Sequence, residues 1–219
     1  MSQVKERPIL FSAPMVRAIL DGRKTVTRLT MSVQPELGGA FWKVYGAGWG
    51  AGISSVPAMP GHSLAANCPI GMAGERLWVQ EAWAIAGGMP HDPGYVVLRS
   101  EFDGDYDDCG NLIDRWRPAE TMDRDDCRVE LEITAVSIER LWAGEGETAF
   151  ESRYVAEGIN RIHQGDGEYA FHPFKSEPGP GSWTDPFAAW RELWVSVNGA
   201  DSWNANPWVW VVEFKRVTP

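Results

Sequence analysis

The chain holds 219 residues, with 20 Lys and Arg against 30 Asp and Glu, a formal net charge of −10. Hydrophobic residues at 44% and charged residues at 23% suit a folded domain and exclude disordered, collagen-like and coiled-coil chains. Acidity also excludes a uniformly basic nucleic-acid coat, because affinity for phosphate backbones comes mainly from Lys and Arg.

Read in order, residues 8–11 form a short apolar strand. Ser12 is placed as an N-cap, with Pro14 in the first turn and Met15, Val16, Ile19 and Leu20 at helical spacing. Gly22 closes this helix, and residues 24–29 read as a strand, which sets Arg23 and Lys24 at a tight turn. Residues 34–74 are Gly- and Pro-rich and read as a long loop. Strands are expected over 76–86 and 95–100, a solvated acidic loop over 101–126, and a strand with one wet face over 128–141. A short helix over 147–157, ended by Gly158, precedes a second Gly- and Pro-rich loop at 163–183. Thr184-Asp185-Pro186 opens an amphipathic helix through Asn198, with Phe187, Trp190, Leu193, Trp194 and Val197 on one face. A strand over 208–216 closes the chain.

Short strands not regularly separated by crossover helices argue against a doubly wound parallel sheet. The expectation is a single α+β domain over 1–219, built as a small mixed β-barrel with flanking short helices. Its loop insertions fall at about 34–74, 101–126 and 163–183.

Absence of about 18 consecutive apolar residues means that no transmembrane helix is expected. The N-terminus lacks the pattern of a signal peptide. Cys68, Cys109 and Cys127 form no C-x-x-C pair, so a reduced, cytoplasmic protein is expected.

Charge is unevenly placed. Residues 1–50 carry Lys5, Arg7, Arg17, Arg23, Lys24, Arg28 and Lys43 against Glu6, Asp21 and Glu36, a net of +4, while the rest nets −14. The run Gly22-Arg23-Lys24-Thr25-Val26-Thr27-Arg28 puts three cations and two hydroxyls at a helix-to-strand turn. Such a turn either holds an anion or polarises a carbonyl, with a partly buried Lys as base or electrophile, or is a solvated turn followed by an edge strand. Thr hydroxyl needs an adjacent base to act as a nucleophile. Lys24 and Thr27 converge only if Lys24 precedes the strand, since residues three apart in a strand face opposite ways.

Glu81 shares strand parity with Leu77, Val79 and Trp83, a carboxylate on an apolar face, either functional or paired with an arginine. Glu157, at the end of its expected helix, sits where the dipole disfavours it. Twelve tryptophans are read mainly as core, with one or two, Trp78 among them, available as a stacking wall for a base. His62 and Cys68 share a loop, but two ligands make no zinc site, and no metal or cofactor is expected.

Residues 7–29, Gly74-Glu75-Arg76-Leu77-Trp78-Val79-Gln80-Glu81-Ala82-Trp83, Val155-Ala156-Glu157-Gly158-Ile159, and residues 187–199 and 206–217 together carry a resemblance. They resemble the ASCH domain family, specifically phage- and prophage-encoded members of this length. The resemblance implies a PUA-like fold, in a bacterial or phage-infected host cell, with RNA or a modified base as ligand. One branch of the family removes the acyl group from N4-acetylcytidine, and other members are described as ribonucleases. Motif matching then assigns Lys24 as base or carbonyl polariser, Thr27 as nucleophile and Glu157 as proton shuttle. Arg23, Thr25, Arg28, Trp78 and Glu81 are expected around the ligand. With this site, Lys24→Ala is expected to abolish turnover and leave the melting temperature nearly unchanged. The alternative is a phage accessory or morphogenesis protein that acts by contact with a phage or host protein, through the acidic 101–126 segment and the Gly-rich loops.

Overall fold

A computed structural model describes residues 4–89, 91–165 and 167–217. The outermost limits of the expected 1–219 domain, and residue 166 of the expected 163–183 loop, lie outside the described residues.

The first strand, β1 (Glu6–Leu10), leads to α1 (Ala13–Leu20) and then β2 (Val26–Thr30). A meander of β3 (Glu36–Gly38), β4 (Phe41–Val44) and β5 (Ala47–Gly50) follows, then β6 (Ser55–Pro57) and α2 (Ser63–Ala66). Next come β7 (Arg76–Gln80), the hairpin β8 (Trp83–Ala86) and β9 (Tyr95–Leu98), and the long β10 (Glu130–Arg140). The chain ends with the hairpin β11 (Asn160–Gly165) and β12 (Glu168–His172), helices α3 (Pro186–Asn198) and α4 (Ala200–Asn204), and β13 (Trp208–Val217).

The α+β class holds. The main sheet runs β1-β7-β10-β13-β2, with β6 added beside β10. Only β1 and β7 are parallel. The pairing path does not join β1 to β2, so the expected closed barrel is not formed by the strand pairing among the described residues.

β13 explains why its sequence reads as an unbroken apolar run. Trp208, Trp210, Val212 and Phe214 enter one core with α1, β7 and the meander, while Val209 and Val211 enter a second core with α3. A strand covered on both faces loses the polar alternation of a half-exposed one. The same second core takes Leu193 and Trp194 from α3, whose start is capped by Asp185 Oδ1 accepting from Phe187 N at 3.0 Å.

Four expectations are corrected. Residues 34–74 are not a plain loop: Tyr45 (φ 48°) and Gly46 (φ 78°) make a two-residue hairpin turn with both φ positive, which folds β4 onto β5. Residues 163–183 contain most of the β11–β12 hairpin. The expected helix over 147–157 is absent, and the segment runs as successive turns. Eleven residues make a marginal helix, and here Glu147 accepts from the Arg153 backbone N–H at 2.9 Å, which folds the segment on itself. The expected strand over 76–86 also breaks, at Glu81 and Ala82, into β7 and β8.

Candidate functional site

Gly22 adopts φ +73° after α1, and the Arg23 and Lys24 amides then both donate to Ala18 O, at 2.8 and 2.9 Å. Lys24 therefore lies in the turn before β2, the placement its convergence with Thr27 requires. It forms an isolated antiparallel bridge with Glu157, beside which the Thr25 and Val26 amides donate to Ala156 O. Gly158 permits this approach. Its φ is +95°, and a Cβ there would stand 2.8 Å from Ala18 Cβ and 3.2 Å from Lys24 Cβ.

The side chains extend the bridge inward. Lys24 is 2% exposed. Its Nζ donates to Glu157 Oε2 at 2.8 Å, Glu157 O at 3.1 Å and Val26 O at 2.8 Å, so each ammonium proton has an acceptor. Arg28 Nη1 donates to Glu157 Oε1 and its Nε to Glu139 Oε1, both at 2.8 Å. Arg153 takes the other Glu139 oxygen at 2.6 Å and donates from Nε to Glu147 Oε1 at 2.7 Å. The charges alternate along Lys24, Glu157, Arg28, Glu139, Arg153 and Glu147. The Arg28 guanidinium also lies 5.0 Å from the Tyr154 ring centroid and 5.7 Å from that of Trp190.

These surroundings treat the two cations differently. Burial pulls the Lys24 ammonium below the ordinary lysine range, and the charge of Arg28 adds to that effect against the opposing pull of Glu157. Burial also acts to lower Arg28, but Glu157 and Glu139 outweigh it and hold the guanidinium above its usual value. Lys24 is thus the cation of the pair that releases a proton more readily.

A cavity of about 80 Å³ opens against this cluster. Phe11 and Met15 form one wall, Trp190, Leu193 and Trp194 of α3 another, and Thr27, Arg28 and Glu157 the polar floor. Its volume is below the usual range of small-molecule sites, about 300–1,000 Å³, so a ligand as large as a nucleoside would extend into the open mouth. Thr27 is buried and lines the cavity. Trp190 Nε1, on the same lining, has no hydrogen-bond partner among the described residues. Lys24 is not on the lining; its Nζ lies 5.4 Å from the centroid of Phe11.

Of the expected site residues, Thr27, Arg28 and Glu157 share the cavity lining, Lys24 joins them only through its bond to Glu157, and four others lie elsewhere. Thr25 is exposed. Arg23 turns to a separate cavity, donating to Gly158 O at 2.8 Å and pairing with Asp21 at 2.9 Å. Trp78 stands under Arg124, 5.9 Å from its centroid, on β7 and off the lining of the cavity. Glu81 accepts from Ser100 N at 2.9 Å and faces Arg128 at 3.6 Å, so it fixes the break between β7 and β8. His62 accepts from Leu64 N as the cap of α2, and among the described residues no three His, Cys, Asp or Glu side chains gather as a cation site.

Sequence reasoning missed Glu139, Arg153 and Glu147. Alternation in β10 gives Leu131 and Ile133 as core, as observed, but a register shift between Ile133 and Ala135 changes the parity beyond it. Simple alternation would put Glu139 on the face of Leu131 and Ile133; after the shift Val136 and Ile138 take that face, and Glu139 is buried on the other, against Arg28 and Arg153. Trp190, visible on the apolar face of α3, stands where Trp78 was expected.

Fold and site together define an α+β protein with a buried chain of alternating charges reaching an aromatic-walled cavity. Comparison with protein-family models, curated proteins and solved structures finds no match.

Proposed function

We propose that the chain is an ASCH-type, PUA-like protein that binds a nucleoside in the cavity and hydrolyses an N-acyl group from its base. The observation that carries this reading is that Glu157 and Thr27 line one cavity while Lys24 Nζ sits 2.8 Å from Glu157 Oε2. Trp190, Trp194 and Phe11 supply apolar and aromatic surface for a base, and the unpartnered Trp190 N–H suits a carbonyl acceptor on it.

Lys24 passes a proton to Glu157 Oε2, and the amine lone pair then takes the Thr27 hydroxyl proton. Thr27 Oγ1 adds to the acyl carbonyl carbon. The C–N bond breaks, and the base amine leaves with the proton held by Lys24. Water hydrolyses the Thr27 ester by the same proton path and releases the carboxylic acid. Arg28 stays charged throughout and holds Glu157 in place.

Thr27→Val is the decisive variant. Valine matches the β-branched shape in β2, so the melting temperature should change by no more than a few degrees. Incubation with N4-acetylcytidine, followed by chromatography for cytidine, should show turnover for the natural chain and a loss of about a hundredfold or more in the variant. Absence of both turnover and thermal stabilisation by any nucleoside in a panel overturns the reading.

A further inference from the structure

A second cavity, of about 170 Å³, opens on the other side of the Lys24–Glu157 bridge. Its lining includes Pro14 and Arg17 from α1, Asp21 and Arg23 from the turn, and Asn160 and Ser176 from the β11–β12 region. We propose that this cavity is a phosphate-binding site, with the Arg17 and Arg23 guanidiniums as its ligands.

Both arginines have donors to spare. Arg17 engages only Nη1, with Ser100 O at 3.3 Å and Asp103 at 3.4 Å. Arg23 spends one Nη1 proton on Gly158 O and one Nη2 proton on Asp21. A guanidinium carries five N–H groups in a planar fork that fits phosphate oxygens two at a time. The paired acids are weak competitors. Asp103 and Asp21 have side chains 76% and 59% exposed, and ion pairs so exposed contribute little. Ser176 adds a hydroxyl at the rim.

The backbone connects this site to the first. Arg23 precedes Lys24, and its carbonyl partner Gly158 follows Glu157, so an anion here bears on the outer side of the bridge that holds the two buried groups. Met15 lines the first cavity while Pro14 and Arg17 line the second, which sets α1 between them. A helix with its side chains is about 10–12 Å across, a span that suits a neighbouring phosphate of an RNA strand better than the phosphate of a mononucleotide. This last step, unlike the phosphate site itself, rests on reading the first cavity as a nucleoside site.

Titration calorimetry with inorganic phosphate, a nucleoside 5′-monophosphate and a short oligoribonucleotide tests the proposal. The natural chain should bind inorganic phosphate. Arg17→Gln, a surface change on α1 that leaves the buried network intact, and Arg23→Gln should each weaken it about tenfold or more. The oligoribonucleotide should bind more tightly than the monophosphate, and both variants should reduce that gain. Phosphate binding without nucleoside binding would keep this site and sink the nucleoside reading. Binding of phosphate unaffected by both substitutions, or its absence, overturns the site even if nucleosides are hydrolysed.

Discussion

At the scale of single residues, Lys24 carries the argument furthest. Its importance was legible in the sequence from the crowding of cations and hydroxyls after Gly22. Its burial was not, because the partner that neutralises it lies 133 residues away. The expectation that Lys24→Ala leaves the melting temperature nearly unchanged therefore fails on physical grounds. The substitution opens a void in a closed site and leaves Glu157 with one cation, Arg28, that Glu139 already shares. Removing one partner of a buried pair typically costs about 3–5 kcal/mol. Urea unfolding should show a loss of that order for Lys24→Ala, against little change for Thr27→Val. Equal stability in the two variants would mean that the network contributes nothing to folding. Thr27 was legible for the opposite reason: its place in β2 follows from local pattern alone.

At the scale of elements, the sequence reveals helices and long strands well and the 141–158 connection badly. Pro186 at the start of α3 and Gly199 past its end are local signals. The connection is shaped by tertiary bonds that no local pattern announces. Tyr154 is its anchor: its hydroxyl donates to Leu141 O at 2.9 Å and accepts from Gly144 N at 2.9 Å, and its ring stacks on Trp190 at 5.6 Å between centroids. Burial pushes the phenol up to about 12 from an ordinary value of 10. Below pH 10 both folded and unfolded chains keep the proton, and the contribution is complete. Between about 10 and 12 the unfolded chain ionises first, so stability falls, by about 2–3 kcal/mol in all. Lys24 has the opposite sign: with its folded value lowered, it adds stability as pH rises toward 10.5, where its window closes. Denaturation curves from pH 9 to 12 should show Tyr154→Phe less stable than the natural chain at pH 9, with the gap narrowing above pH 10. A constant gap across that range would remove the assignment.

For the molecule as a whole, the split of charge along the chain acquires a different meaning. The first 50 residues carry a net of +4. Arg7 pairs with Glu75, Arg17 with Asp103, Lys24 with Glu157 and Arg28 with both Glu139 and Glu157. The basic N-terminal segment is thus bound ionically to the acidic remainder, and two of its cations are buried. No local pattern predicts which acid meets which base, so this use of the charge was hidden until the fold was known. At the second cavity the cations are Arg17 and Arg23, so a strand bound there should have one or two phosphates neutralised. Single strands lose affinity with a slope of about −0.7 per neutralised phosphate on a log–log plot against salt. Binding of an oligoribonucleotide between about 50 and 200 mM salt should accordingly follow a slope of roughly −0.7 to −1.4. A slope steeper than about −4 would require a broad basic surface, contrary to the burial of Lys24 and Arg28 and to the pairing of Arg7. A value near zero would mean that the arginines of the second cavity never meet a phosphate.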